Sequence, residues 1–440
     1  MSSLKLLSNF RHMLILGIII RLVLVPFLAH PFDMFAWYRY VDEIQNTGVS
    51  ISSVGIIPFW NSFLIIVANI YGTLSNILHI SAIPVSELPS NFNPSYGITI
   101  ITDPIFNTLI KTPLIIADAL SAFLIYKISF FFSKDYSISR RSAYLYFFSP
   151  IVIWISAVWG QYDSLAVLFT LLALYYLLVS KRMALSAVSL YIAVLIKIYP
   201  IVFVIPIILS IYRFDKQRRR EIGYFLVFLL PLGLYMILFQ SNAFLNFLWA
   251  IINPSGLSFA SGFGLTYWSV TLLTQIDVLL TNIVMYLILS ILVIFSINYI
   301  VKRSKSLFDG VISGSFLLIA SVFLSYPVVS EQRSLILLAF LSLMITSHFS
   351  LKTNFILLSS LAFLYAQKNF PFYLLPLASR FPDSFSFLFS SISPLINRST
   401  DVIAPTFNSG LILFIIGTSF SIILFITVLS IYRMNKISLK

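Results

Sequence analysis

Four short polar clusters interrupt a chain that is otherwise strongly apolar, and each carries groups that could do chemistry. They are His30-Pro31-Phe32-Asp33, Trp159-Gly160-Gln161-Tyr162-Asp163-Ser164, Lys197-Ile198-Tyr199-Pro200 and Ser330-Glu331-Gln332-Arg333. A fixed carboxylate such as Asp33 can act as general base on a hydroxyl. Lys197 is a compact cation that can hold a phosphate and stabilise negative charge on a leaving group. Gln161, Tyr162, Asp163, Tyr199, Glu331 and Arg333, with Asp42 further along from Asp33, supply hydrogen bonds and charge for a polar substrate. Each also has a plainer reading. Asp33 and Asp163 suit helix N-caps, Lys197 can snorkel to water, and Glu331 and Arg333 can face water or pair with each other.

The elements that must carry these clusters follow from composition. Of 440 residues, 59% are hydrophobic and 10% charged, against about 25% charged in soluble domains. Apolar runs near the length needed to cross a hydrocarbon core about 30 Å thick recur along the chain. They are solid Ile, Leu and Phe rather than alternating, so the expectation is an all-α, polytopic membrane protein and not a β-barrel. No cleavable signal peptide is evident, and Leu14–Ala29 reads as the first permanent helix.

The net charge of +13 does not point to nucleic acid. Seven short segments hold 20 of the 28 Lys and Arg with only four acids among them. The rest of the chain holds 8 basic and 11 acidic residues. That is the positive-inside pattern, with the basic segments against anionic lipid heads. Threading on this basis gives about 12 transmembrane helices with both termini cytoplasmic. The spans are about 10–29, 108–132, 141–158, 162–179, 183–197, 199–212, 222–239, 278–300, 308–326, 334–350, 353–367 and 411–432. The apolar stretch Pro58–Ile80 fits best as an interfacial or re-entrant helix inside a first external loop, 30–107. Core helices over 108–212 carry the second and third clusters, and 213–440 adds C-terminal helices and external loops. One domain, 1–440, is expected. The stretch Asp33–Gln45 reads as an amphipathic surface helix. The sequon Asn397-Arg398-Ser399 falls in the external segment 368–410.

All four polar clusters then fall near the external ends of helices. Charges at a membrane edge or within it are costly and mark function. Arg21, inside the first helix, and Asp118, inside the next span, both need polar partners, and a direct pair between them is one solution. With no cysteine and four scattered histidines, disulfides, thiol catalysis and a zinc site are not expected. No P-loop, dinucleotide fingerprint or Ser–His–Asp signature occurs. The groups together suit a reaction between a lipid phosphate and a polar acceptor.

At these residues the sequence resembles the GT-C superfamily of polyprenyl-phosphate-sugar-dependent glycosyltransferases. It is most similar to the GPI mannosyltransferase that adds the first mannose, and to prokaryotic relatives. The likeness rests on Asp33 after the first helix, Pro113-Leu114-Ile115-Ile116-Ala117-Asp118-Ala119-Leu120, Gly160-Gln161-Tyr162-Asp163-Ser164-Leu165 and Lys197-Ile198-Tyr199-Pro200. It runs over roughly 1–212; beyond that only Glu331-Gln332-Arg333 is suggestive. The resemblance implies Asp33 as general base and Lys197 in a lipid-phosphate pocket. The implied activity is inverting transfer of a hexose, with mannose the expected sugar, from a polyprenyl or dolichyl phosphate to an extracytoplasmic glycan or lipid acceptor. The Asp-x-Asp pair typical of the GPI enzyme is absent: position 31 is proline, and Asp42-Glu43 follows further on. Arg21, Asp42, Gln161, Tyr162, Asp163, Tyr199, Glu331 and Arg333 are the other candidate substrate contacts. No metal or cofactor is expected. A multi-pass transporter or flippase is the principal alternative, disfavoured because no internal repeat is evident and the charges lie at the membrane edge rather than its midplane. A non-catalytic subunit of a glycosylation complex is the third.

Overall fold

The computed structural model describes residues 3–47, 58–87, 98–227, 264–272, 278–327, 329–370, 372–381, 383–384 and 407–434. The expected span beyond 227, most of the segment 240–277 and the Asn397 sequon lie outside them. Within them the protein is all-α apart from one antiparallel pair, Ile83–Pro84 with Ile100–Ile101. The first four helices are α1 (Ser3–Leu24), α2 (Pro31–Thr47), α3 (Pro58–Leu78) and α4 (Pro104–Ser133). Then come α5 (Tyr136–Phe147), α6 (Pro150–Ile153), α7 (Asp163–Leu178), α8 (Met183–Ile196) and α9 (Val204–Phe214). The later helices are α10 (Val278–Asn298), α11 (Leu307–Ser325), α12 (Ser334–Met344), α13 (Lys352–Ala366) and α14 (Phe407–Met434).

By length and composition five helices can cross a membrane, within 104–133, 279–303, 307–325, 349–366 and 410–433. The pair α5 and α6, bent by 51° with α6 running on to Trp159, makes a sixth if it is one span. The bend falls where Pro150 removes an N–H and pushes Ser149 out of helical geometry. The remaining apolar helices, at 62–78, 163–178, 183–196 and 199–214, are shorter. The surface agrees with a membrane setting: Leu279, Ile291, Ile294, Ile412 and Ile415 are all more than half exposed. Such continuous exposed apolar faces are foreign to a water-soluble protein.

The chain forms two compact units. Unit 1 comprises 1–119, 152–165 and 367–404; unit 2 comprises 120–151, 166–366 and 405–440. Three of the divisions fall inside helices, in α4, α6 and α7.

Unit 2 is centred on α11 and α12. Every residue of α12 is buried, and so are nearly all of α11. A helix that is apolar all round belongs in the middle of a bundle. Small residues set the approach of its neighbours. A Cβ on Gly310 would meet Ser210 Oγ at 2.5 Å, and one on Gly314 would meet Ile300 Cγ1 at 2.6 Å and Pro206 Cβ at 3.2 Å. This spacing is the small-xxx-small device of packed membrane helices.

Unit 1 is held differently, by buried polar bonds between α1 and α4. Helix α1 ends at Leu24 because Pro26 cannot continue it, although the apolar run continues to Ala29. The last turn therefore leaves carbonyls that an apolar setting cannot satisfy. One face of α4 satisfies them. Asn107 Nδ2 donates to Pro26 O at 3.1 Å, and Lys111 Nζ donates to Val25 O at 3.3 Å and to Leu28 O. Two turns further along the same face, Asp118 Oδ2 accepts from Arg21 Nε at 3.1 Å. Both side chains are fully buried, and Arg21 Nη1 also donates to Gly17 O. Val25, Ile115 and Ala157 pack into one apolar cluster beside this seam.

Removing one member of a buried pair strands the other charge, at a cost of roughly 3–5 kcal/mol. Arg21→Met or Asp118→Leu alone should lower thermal stability in detergent by that order. The double variant should recover more than half of the loss. Additive losses in the double variant would show that the two side chains are not coupled.

Candidate functional site

Asp33 sits in unit 1 at the start of α2, and three local features hold it. Helix α2 begins at Pro31, whose missing N–H costs nothing in a first turn. Asp33 thus lies inside the first turn instead of capping the helix, where its negative charge complements the helix dipole. The capping role falls to His30, whose Nδ1 accepts the Asp33 backbone N–H at 3.3 Å. Burial pushes the His30 imidazole down from 6.5 to about 4, opposed by Asp33 and reinforced by Lys368. It is therefore neutral at pH 7, and the lone pair on Nδ1 is available to accept. The 3.5 Å approach of Nδ1 to Asp33 Oδ2 is thus not an ion pair at that pH.

The turn after α6 comes to the same carboxylate. From Trp154 the backbone widens into a π turn that ends at Trp159, a distortion frequent at functional sites. Gly160 closes it at φ +89°, with its N–H and that of Gln161 both on Ile155 O. No other residue fits there, because a Cβ would meet Met34 Sδ at 2.6 Å and Lys111 Cε at 3.2 Å. The widened turn aims two donors at Asp33 Oδ2: Trp159 Nε1, and Gln161 Nε2 at 2.6 Å. Among the described residues no donor reaches Oδ1. The Asp33 side chain is 29% exposed, so one oxygen is anchored and the other is open to a substrate.

Aromatic rings wall this carboxylate. His30 stacks on Trp159 at 4.5 Å and 5°, and Tyr373 meets both rings edge-on. The Ala29 N–H donates to Tyr373 O at 3.1 Å, and the His30 N–H to Trp159 O at 3.4 Å. On α2, Trp37 lies one turn from Asp33 and makes edge contacts with Trp60 of α3 and with Tyr162; those two stack at 4.9 Å. Helix α3 is tied to α2 by Gln45 Nε2 donating to Ala68 O at 2.7 Å. Its residues Trp60, Leu64, Val67, Ala68 and Tyr71 form one buried face, while Ile66, Ile70 and Ile77 are exposed. Tyr71 donates to Asp103 at 2.5 Å, and Asp103 caps α4 through the N–H groups of Ile105 and Phe106.

The expected site residues separate as follows. Asp33 and Gln161 are bonded to each other. Tyr162 follows directly, its ring taken up by Trp37 and Trp60. Asp163 opens α7 and is fully buried. Arg21 is enclosed on Asp118, away from any open surface. Asp42 is exposed on α2, about 13 Å along the helix from Asp33. Lys197, Tyr199, Glu331 and Arg333 belong to unit 2. Lys197 ends α8 in extended conformation, half-buried, just before a 3-10 turn that carries Tyr199 and Pro200. Glu331 is fully buried near Tyr365, and Arg333 lies near Tyr326.

Sequence reasoning passed over Lys111, His30 and Trp159. Lys111 carried a usable signal, since a lone lysine inside an apolar span demands a partner. His30 was weighed only as a metal ligand. Among the described residues no group of three or more His, Asp or Glu side chains could hold a metal ion. Compared with models of known protein families and with curated proteins, the chain matches none.

His30 makes the site acid-sensitive in a defined direction. Its folded-state value lies below the unfolded one, so its contribution is intact above about pH 6.5 and is lost as the pH falls toward 4. The loss reaches about 3 kcal/mol by pH 4. Thermal unfolding between pH 7 and pH 4 should show a steep fall in stability for the wild type. His30→Asn keeps a capping side chain without the titration and should flatten that fall; identical profiles would exclude His30 as its source.

Proposed function

We propose that the protein is a membrane glycosyltransferase that moves a hexose, with mannose the expected sugar, from a polyprenyl phosphate to a glycan or glycolipid acceptor. The observation that carries this reading is the Asp33 carboxylate, anchored through Oδ2 by Trp159 and Gln161 with Oδ1 left open. A general base needs its basic oxygen fixed and accessible, and a carboxylate restrained on one oxygen has both. Asp33 Oδ1 takes the proton of the acceptor hydroxyl. The acceptor oxygen so freed of its proton forms a bond to the sugar C1 from the face opposite the phosphate, and the C1–O bond to phosphate breaks with its electron pair leaving on the phosphate. The anomeric configuration inverts.

The aromatic rings, buried against one another, hold the carboxylate in place, and His30, neutral at pH 7, adds no competing charge. The likeness of the four motifs to the GT-C superfamily supports the same reading and assigns the donor phosphate to Lys197. Under it about twelve helices cross the membrane, both termini are cytoplasmic, and Asp33 faces the extracytoplasmic side. Lipid-linked donors are available there, whereas soluble nucleotide sugars are not.

Purified protein in nanodiscs should transfer sugar from one member of a panel of polyprenyl-phosphate hexoses to a glycan and lipid extract. Asp33→Asn keeps the shape and acceptor capacity of the side chain but removes its basicity. It should lower kcat by two to four orders of magnitude at unchanged thermal stability. Lys197→Ala should act chiefly on the KM for the donor. Full activity of Asp33→Asn would remove it as the base, and failure of every donor would turn attention to transport of a lipid-linked or polar substrate.

A further inference from the structure

The seam between α10 and α14 in unit 2 has an apolar half and a cationic end, and the two are spaced like one leaflet of a bilayer. The apolar half is an open groove of about 430 Å³, lined mainly by Ile288, Leu292, Leu324, Ile422, Phe425 and Ile426, with Tyr267, Thr418 and Ser421 also on its wall. That is within the usual range of about 300–1,000 Å³ for ligand pockets. Toward the end of the same seam Phe295 stacks on Tyr432 at 4.0 Å, and Asn298 Nδ2 donates to the Tyr432 hydroxyl at 3.0 Å. Helix α10 then passes through a π turn to Arg303. The Arg303 guanidinium lies 3.8 Å above the Tyr432 ring and donates to Tyr432 O at 3.3 Å. Lys302 and Arg433 flank it and are exposed. The nearest acid in sequence, Asp309, is engaged elsewhere: it accepts from the Tyr299 hydroxyl, from Ser313 Oγ and from the Lys305 N–H. Arg303 is thus fixed on Tyr432, with Lys302 and Arg433 adjacent in sequence to the two partners of that contact and the neighbouring carboxylate spoken for.

The spacing decides what fits. Leu292 and Arg303 are eleven residues apart on one helix, and so are Ile422 and Arg433 on the other. At 1.5 Å per residue each separation is about 16 Å, close to half of a hydrocarbon core about 30 Å thick. The ends of membrane-crossing helices lie at headgroup depth, where clustered Lys and Arg attract anionic lipids. We infer that this seam is a binding site for one anionic glycerophospholipid, its phosphate held by Lys302, Arg303 and Arg433 and one acyl chain laid in the groove. Tyr432 joins the two halves, because its ring packs against Phe295 on the groove side and carries Arg303 on the other. The guanidinium is held in place before any lipid arrives, which lowers the ordering cost of binding.

The test is lipid binding to the delipidated, detergent-purified full chain, read by native mass spectrometry and by thermal stabilisation. The probes are phosphatidylglycerol, phosphatidylcholine with the same chains, and polyprenyl phosphate. Phosphatidylglycerol should saturate one site at least about tenfold more tightly than phosphatidylcholine. The triple variant Lys302→Gln/Arg303→Gln/Arg433→Gln should abolish that preference. Ile422→Trp, which fills the groove and leaves the charges alone, should weaken phosphatidylglycerol binding as well. The control Lys181→Gln/Arg182→Gln, which removes two basic residues elsewhere, should leave it unchanged. Equal binding of the two phospholipids, a preference that survives the triple variant, or loss of the preference in the control would overturn the assignment. So would displacement of phosphatidylglycerol by equimolar polyprenyl phosphate, which would make the seam a substrate site.

Discussion

The requirement that backbone carbonyls be satisfied where water is scarce governs unit 1. Pro26 stops α1 before its apolar run is over, and the carbonyls of Val25, Pro26 and Leu28 are left without helical partners. Asn107 and Lys111, one turn apart on α4, take them up. Lys111 is fully buried, and its amino group is spent on the Val25 and Leu28 carbonyls. The Arg21–Asp118 pair extends the same seam into both helices. The segment that leaves α1, from Ala29 onward, therefore departs from a fixed point.

That fixed point is what makes Asp33 a defined carboxylate. Two chain segments far apart in sequence meet at it, each through a specific local geometry: a helix started at a proline, and a π turn closed by a glycine in the left-handed region. Gly160 lies against Lys111 and Met34, so the residue that ties down α1 also seats the turn that carries Trp159 and Gln161. The bonds that hold unit 1 together and the candidate site thus share the same few side chains.

Unit 2 is built on the opposite principle. Its central helices α11 and α12 are apolar all round, and close approach is set by Gly310 and Gly314. Shape does there what polar bonds do in unit 1. Its basic groups lie at helix ends, as in the Arg303–Tyr432 contact, and single hydroxyl and amide bonds such as Ser296 with Ser321 and Asn354 with Thr427 link its helices.

Helix content and class were legible in the residues, because apolar runs of membrane length admit few other structures. Most helix positions followed to within a few residues, including the short pair α8 and α9 joined at Lys197 and the turn at Gly160. Boundaries moved where prolines intervened: Pro26 shortened the first helix and Pro150 split another, effects that hydropathy does not register. Asp33 could be singled out because a carboxylate beside a membrane helix is costly. That Trp159 and Gln161 would share one of its oxygens could not, since nothing local links positions 126 and 128 residues away. The pairing of Arg21 with Asp118 was open to sequence reasoning, because both needed polar partners, and the structure makes it; the use of Lys111 as a cap and of His30 as a neutral acceptor depends on what stands opposite each group. Residue type states what a side chain is able to bond, whereas tertiary packing decides which bond it makes.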